Sequence, residues 1–299
     1  MPFERATKEQ HRLRVAIDGP SGSGKTVTSL ILAHVFAGGD TFAVVDTERG
    51  AASLYADLEI DGVKLVFDRL ELDEYSPSAY IKAMKDAAKA GYKACVLDSI
   101  THEWNGNGGI LQIVDDEQTR RKQSSSYQAW SVGKAEHRKF VDAMLGTPYH
   151  LVVTMRSKME HVLQDSNGKK EVKKVGMAPV QSDGMEYEFD IVADMDLEHN
   201  LIVSKTRYFD IADMVAKKPG VEFANRIYNW AMSGAAPTVK PVQLPQVVKD
   251  RWFELQAMAV VRGMSMPEIS PEWMLEEVAE QGRAWDAKIK AHDDGGTPC

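Results

Sequence analysis

Eight residues near the start of the chain constrain its fold more than any others: Gly19-Pro-Ser-Gly-Ser-Gly-Lys25-Thr26. Glycine at 19, 22 and 24 lets a tight loop wrap an anion with backbone N–H groups, where side chains would intrude. Leu13, Val15 and Ile17 share one face of a short strand, Leu13 to Asp18, that leads into this loop. A helix is expected from Lys25 to Ala37, stopped by Gly38-Gly39. An apolar strand, an anion-binding loop and an amphipathic helix in that order open a nucleotide-binding α/β fold.

The spacing fits G-x-x-x-x-G-K-[ST] at every fixed position. Gly19, Pro20, Ser21, Gly22, Ser23 and Gly24 would surround the phosphates. Lys25 would place a charge near the β- and γ-phosphates, Thr26 would offer its hydroxyl to Mg²⁺, and the helix N-terminus adds its dipole. ATP and Mg²⁺ are therefore the expected ligands. A metal site of this type needs a carboxylate at a neighbouring strand tip, and Asp98 at the end of "ACVLDS" supplies one. Two further acids, Asp46 and Glu48, follow the strand in "FAVVDTERGAAS". One of them could polarise an attacking water. A solvated turn acid paired with Arg49 is the alternative, and the pattern leaves that open.

The rest of the first half alternates strands and helices. Strands are expected at Phe42–Val45, Val63–Phe67, Ala94–Leu97 and Tyr149–Met155. Helices are expected at Ala79–Ala90, capped by Ser76 or Ser78, and at Ser131–Leu145. Strands apolar on both faces imply a largely parallel sheet covered by helices. From Arg156 the pattern changes to a hairpin turning at Asp165-Ser166-Asn167-Gly168, then strands at Phe189–Asp194 and Leu201–Ser204, so the late strands read as antiparallel. The expected organisation is a core over residues 1–232, a linker over 233–245, a helical segment over 246–292 and a disordered tail over 293–299. In the helical segment Val248, Trp252, Leu255 and Ala259 share one face, and Met274, Val278, Trp285 and Ile289 share another.

Three of these segments resemble RecA-type recombinases. "VVDTE" is similar to the segment whose glutamate is the catalytic base, which puts Glu48 in that role. "ACVLDS" resembles that family's metal-binding strand. "VSKTRY" resembles the late strand whose Lys-x-Arg pair reaches the γ-phosphate of the neighbouring subunit, so the resemblance implies that Lys205 and Arg207 act in trans. The segment from Lys173 to Arg207 looks similar to phage-encoded RecA-like ATPases, some of which anneal single strands. The resemblance covers roughly Arg12 to Trp230. It implies a RecA-like ATPase core, ATP at interfaces of a homo-oligomeric filament or ring, single-stranded DNA as partner, possible work with a single-strand-binding protein, and the cytoplasm of an infected bacterial host. Where RecA itself carries a glutamine as γ-phosphate sensor, this chain has Thr154-Met155-Arg156-Ser157, so Thr154 or Arg156 would take that role. Mobile DNA-binding loops would be Thr101–Tyr127, with Arg120, Arg121 and Lys122 beside Trp104, Tyr127 and Trp130, and Arg156–Gly184, with Lys158, Lys169, Lys170, Lys173 and Lys174.

"AIDGPSGSGK" also reads like the opening of a nucleoside-monophosphate kinase. Such a kinase needs an arginine-rich lid, and "TRRKQ" is a poor one. A helicase-loader or regulatory ATPase acting on a protein ring is the second alternative. The formal net charge of −8 argues against a coat-like nucleic-acid binder without excluding a local basic groove. Two cysteines, Cys95 and Cys299, make no disulfide framework and fit a reducing compartment. No apolar run approaches membrane-spanning length, and no apolar segment follows the charges of the first fourteen residues as a secretory signal would require.

Overall fold

A computed structural model describes residues 5–120, 126–166, 169–236, 246–268 and 275–293, with the side chains of 159–177 and 275–277 left out. The chain divides into two compact units, Met1–Ala235 and Ala236–Cys299.

The first unit is built on a nine-stranded sheet. Its strands in chain order are β1 (Arg14–Gly19), β2 (Phe42–Asp46), β3 (Phe67–Glu71), β4 (Ala94–Asp98), β5 (His150–Ser166), β6 (Lys169–Pro179), β7 (Ile191–Met195), β8 (Asn200–Thr206) and β9 (Val215–Lys217). Across the sheet the order is β9-β8-β7-β1-β5-β4-β2-β3, and β6 pairs with β5. From β3 to β7 the neighbours are parallel; β8 and β9 then add antiparallel. The helices are α1 (Lys25–Phe36), α2 (Pro77–Lys89), α3 (Thr101–Asn105), α4 (Ile110–Arg120), α5 (Ser126–Leu145) and α6 (Val221–Met232).

Successive side chains of a strand point to opposite faces, and the core divides accordingly. Val15, Ile17, Val96 and Val152 pack with α1 and α6 on one face. Ala16, Cys95, Leu97 and Val153 pack with α2 and α5 on the other. Both faces are covered, which is why these strands read as continuous apolar runs.

Several boundaries differ from expectation for local reasons. The third strand is Phe67–Glu71, while Val63–Lys64 forms a two-residue arm paired with Glu59–Ile60. β3 is an edge strand whose side chains are mostly exposed, so its apolar signal is weak. Residues 101–120, expected as a mobile loop, are largely helical as α3 and α4. Ile110 and Val114 are buried there, with Trp104, Ile113 and Trp130 packed against them. Ser76 caps α2, its Oγ accepting from the Ala79 backbone N–H at 3.3 Å. β5 runs on past Met155 into the hairpin, whose last pair is Ser166 with Lys169, so the turn lies outside the described residues.

The second unit contains α7 (Gln246–Val261) and α8 (Leu275–Asp293). Their apolar faces bury against each other through Trp252, Leu255, Ala259, Val278 and Ile289. Arg251 bridges Asp286 with both oxygens, at 2.8 and 3.0 Å, and Arg262 bridges Asp293 at 2.7 and 2.6 Å.

Candidate active site

In an open parallel sheet, side chains at the carboxyl ends of the strands converge on one crevice. Here β1, β2 and β4 end beside one another, and β5 leaves the parallel sheet at the same level. Gly19 at the tip of β1 is the register partner of Arg156 on β5, and Asp46 and Asp98 are partners at the tips of β2 and β4. Above them lies a cavity of about 730 Å³ whose lining includes Ser21, Gly22, Gly24, Lys25, Thr26, Glu48, Asp98 and Arg156.

Gly22 and Gly24 have φ of +81° and +97°, a left-handed conformation that side chains disfavour. At Gly19 the constraint is space, because a Cβ would sit 2.5 Å from the Met195 carbonyl oxygen. Pro20 accepts a 2.8 Å hydrogen bond from Lys25 Nζ through its carbonyl. Burial lowers the Lys25 pKa, against the opposite pull of Asp98, Glu48 and Asp18. Ser23 is fully buried, its carbonyl 3.0 Å from His199 Nδ1.

Thr26 Oγ1 donates to Asp98 Oδ2 at 2.7 Å, and Thr154 Oγ1 donates to the other oxygen. Asp98 is 4% exposed, and burial raises its pKa despite both hydroxyls. A hydroxyl and a buried carboxylate side by side are hard oxygen donors of the kind Mg²⁺ takes. Thr154 is fully buried behind Asp98 and does not line the cavity.

The two acids after β2 separate into different tasks. Asp46 is buried and spent on the turn: Oδ1 accepts from the Glu48 N–H at 2.7 Å, Oδ2 from the Ala52 N–H at 3.3 Å, and Arg69 stands 3.5 Å away. Glu48 is the acid that faces the cavity. Thr47 between them bolts β2 to β4: its N–H donates to the Asp98 carbonyl at 2.8 Å, and its hydroxyl accepts from the Ser99 N–H at 2.8 Å.

Glu48 does not stand free. Arg156 meets it fork to fork, Nε to Oε1 at 3.0 Å and Nη2 to Oε2 at 2.5 Å. Both of the carboxylate's oxygens are engaged by one guanidinium. Sequence reading placed both residues at the site but not on each other.

Lys205 and Arg207 lie elsewhere. β8 runs antiparallel to β7, so it begins near the phosphate loop and ends at the opposite edge of the sheet. Arg207 N–H donates to the Asp190 carbonyl, and Asp190 N–H to the Arg14 carbonyl. Arg207 is thus level with the start of β1, roughly 16 Å from the loop at ~3.3 Å per residue. Lys205 Nζ donates to the carbonyls of Glu186, Tyr187 and Phe189, and Arg207 stands 3.5 Å from Asp190. The structure brings neither to this chain's own phosphate loop.

Of the expected DNA-contacting cations, Arg120 is exposed and paired with Glu117 at 2.6 Å. Arg121 and Lys122 lie outside the described residues. Lys169, Lys170, Lys173 and Lys174 stand on β6, with their side chains outside the described set.

Sequence reasoning missed three neighbours of the site. Tyr55 lines the cavity from the short helical turn Ala51–Tyr55, and His199 lines it from the β7–β8 turn with φ of +63°. Asp18, buried at the tip of β1, accepts from Ser157 Oγ at 2.6 Å. A non-glycine residue at positive φ depends on contacts made after folding, so His199 left no local signal.

A family model described as an AAA domain matches residues 11–218. No curated protein matches the chain. Among solved structures, one described as an ATPase domain is similar at 10% identity over 66% of this chain and 78% of that chain, with a TM-score of 0.37.

Proposed function

The chain belongs to the AAA domain family, and from that premise we propose that it hydrolyses ATP at a Mg²⁺-dependent site and acts as a homo-oligomer on single-stranded DNA. The observation that carries the hydrolytic reading is Glu48 at the mouth of the cavity that Lys25, Thr26 and Asp98 also line. Attack by water needs a group to take its proton, and Glu48 is placed for that role; a bound hydroxyl would need one too, so it is the resemblance of "VVDTE" that turns the reading toward water.

The loop glycines and Lys25 would hold the triphosphate, and Thr26 and Asp98 would hold Mg²⁺. That ion would neutralise charge building on the β- and γ-phosphate oxygens. Glu48 would orient the water and accept its proton. With Arg156 spanning both of its oxygens it is occupied, so the fork must open first. A γ-phosphate is a stronger anion than a carboxylate and would draw the guanidinium to itself, which frees Glu48. Arg207, exposed at the end of the strands away from the phosphate loop, suits a contact with a neighbouring copy's nucleotide and not with its own, whereas Lys205 would first have to leave the three carbonyls that hold it. The phage context and annealing role rest on the resemblance of "VVDTE", "ACVLDS" and "VSKTRY" alone.

The test measures ATP hydrolysis by the full chain with and without single-stranded DNA, with assembly followed by light scattering. Stimulation by DNA together with assembly is expected. Glu48→Gln should retain ATP binding and lose hydrolysis by ~10²–10⁴-fold. Phosphate transfer to a nucleotide acceptor would refute the reading.

A further inference from the structure

One face of α5 has a chemistry that the nucleotide site does not use. Tyr127, Trp130, Lys134 and Arg138 recur at spacings of three and four, so they align along one side of the helix. With Lys139 and one carboxylate, Asp142, they line a cavity of about 420 Å³. Tyr127 is 84% exposed, a large aromatic surface left in water. Trp130 is braced instead: it packs against Ile110, Val114 and Ala129, and its ring lies 6.2 Å from that of Trp104. Lys139 is paired with Glu136 at 2.7 Å. Neither Lys134 nor Arg138 has an ion-pair partner among the described residues.

A braced indole, a free phenol ring and two unpaired cations in one groove match an anionic polymer with flat faces. Bases stack on aromatic rings, a guanidinium also stacks on bases, and backbone phosphates take the cations. An acidic peptide would use the cations but leaves an exposed tyrosine without purpose. The chain as a whole carries a net charge of −8, so attraction of a polyanion has to come from a local concentration of cations such as this one.

We propose that the α5 groove binds a segment of single-stranded nucleic acid, with bases on Tyr127 and Trp130 and phosphates on Lys134 and Arg138. This rests on the single-strand reading above and adds the surface that would perform it, a packed helix and not a mobile loop.

The test titrates the full chain into a fluorescein-labelled oligothymidylate, followed by anisotropy at several salt concentrations, with ATP affinity measured alongside as a check on folding. Tyr127→Ala should weaken binding roughly 5- to 150-fold, the range for losing one stacked base, and Tyr127→Phe should restore it. The double variant Lys134→Gln with Arg138→Gln should flatten the slope of log affinity against log salt by about 1.4. ATP affinity should be unchanged in all three. If wild type binds the oligonucleotide and the variants bind equally well, the groove assignment is overturned while the single-strand reading stands. If wild type binds no oligonucleotide, both fail. Displacement of the oligonucleotide by polyglutamate at equal charge concentration would also overturn the inference and mark the groove as a surface for acidic proteins.

Discussion

Asp18→Asn should stabilise the protein at neutral pH, because it replaces a carboxyl group that folding forces to hold a proton next to the phosphate loop. Asp18 is 2% exposed at the tip of β1. Its Oδ2 accepts from Ser157 at 2.6 Å, and its Oδ1 is buried without a donor. Asp194 on β7 is its register partner, which puts a second carboxyl group beside it on the neighbouring strand. Burial, then Asp194, pushes the Asp18 pKa up to about 8, while Ser157 and Lys25 pull the other way. In the unfolded chain the same carboxyl titrates near 3.8. Below pH ~4 it is protonated in both states and contributes nothing. Between pH ~4 and ~8 the folded protein holds a proton that the unfolded chain has released, so stability falls as pH rises, by up to ~1.4 kcal/mol per unit. At pH 7 the accumulated penalty is at most about 4 kcal/mol. Asparagine serves both neighbours without titrating: Oδ1 can accept from Ser157 while Nδ2 can donate to Asp194. Urea unfolding from pH 4.5 to 8, read by circular dichroism, should give the variant a growing advantage that approaches zero at the acid end. A constant difference between variant and wild type across that range would refute the assignment of the proton to Asp18.

Three further outcomes follow from the site and the helix pair. Arg156→Ala should weaken ATP roughly 10- to 150-fold, the worth of a charge-assisted bond, and leave ADP within about twofold; calorimetric titration of both nucleotides checks this, and equal losses would refute a γ-phosphate contact. Arg207→Ala should cut hydrolysis by ~10³-fold or more and recover part of it when mixed with a Lys25→Ala chain, because each defect lies on a different side of a shared site; unchanged hydrolysis in the single variant would refute the trans role. Trp252→Ala, which removes the largest fully buried side chain of the second unit, should cost ~3–5 kcal/mol there and render α7 and α8 protease-sensitive, with ATP binding unchanged.

What was legible in the sequence follows from how local the signal is. The phosphate loop, Glu48 and Asp98 are each written within a dozen residues, and the alternation of buried runs with helical stretches was enough to imply a largely parallel sheet, though not its strand order. The Glu48–Arg156 fork joins residues 108 apart, and the Asp18–Asp194 pair exists only because β7 lies beside β1. Neither has a local pattern. α4 was hidden for another reason: the glycines at 106, 108 and 109 and the polar run Asp115–Gln118 resemble a loop, and its apolar contacts are confined to Ile110, Ile113 and Val114. The C-terminal helices announced their apolar faces, Met274 apart, which lies outside the described residues, but a face does not name its partner, and here each covers the other.

β5 touches three acids of the site in succession, Asp98 through Thr154, Glu48 through Arg156 and Asp18 through Ser157, and then enters the hairpin without a break. Its root holds the candidate nucleotide site and its length carries the hairpin. From Arg156 to Ser166 it spans roughly 33 Å at ~3.3 Å per residue. A tilt of about 5° at the anchor would carry the tip roughly 3 Å, so the departure of one guanidinium from one carboxylate is multiplied by length alone. The stiffness comes from the ladder with β6, and its weak point is the register shift between Glu160 and His161. A bulge there bends the ladder, so the few residues between Ser157 and that bulge set how faithfully movement at the phosphates reaches the lysines at the far end.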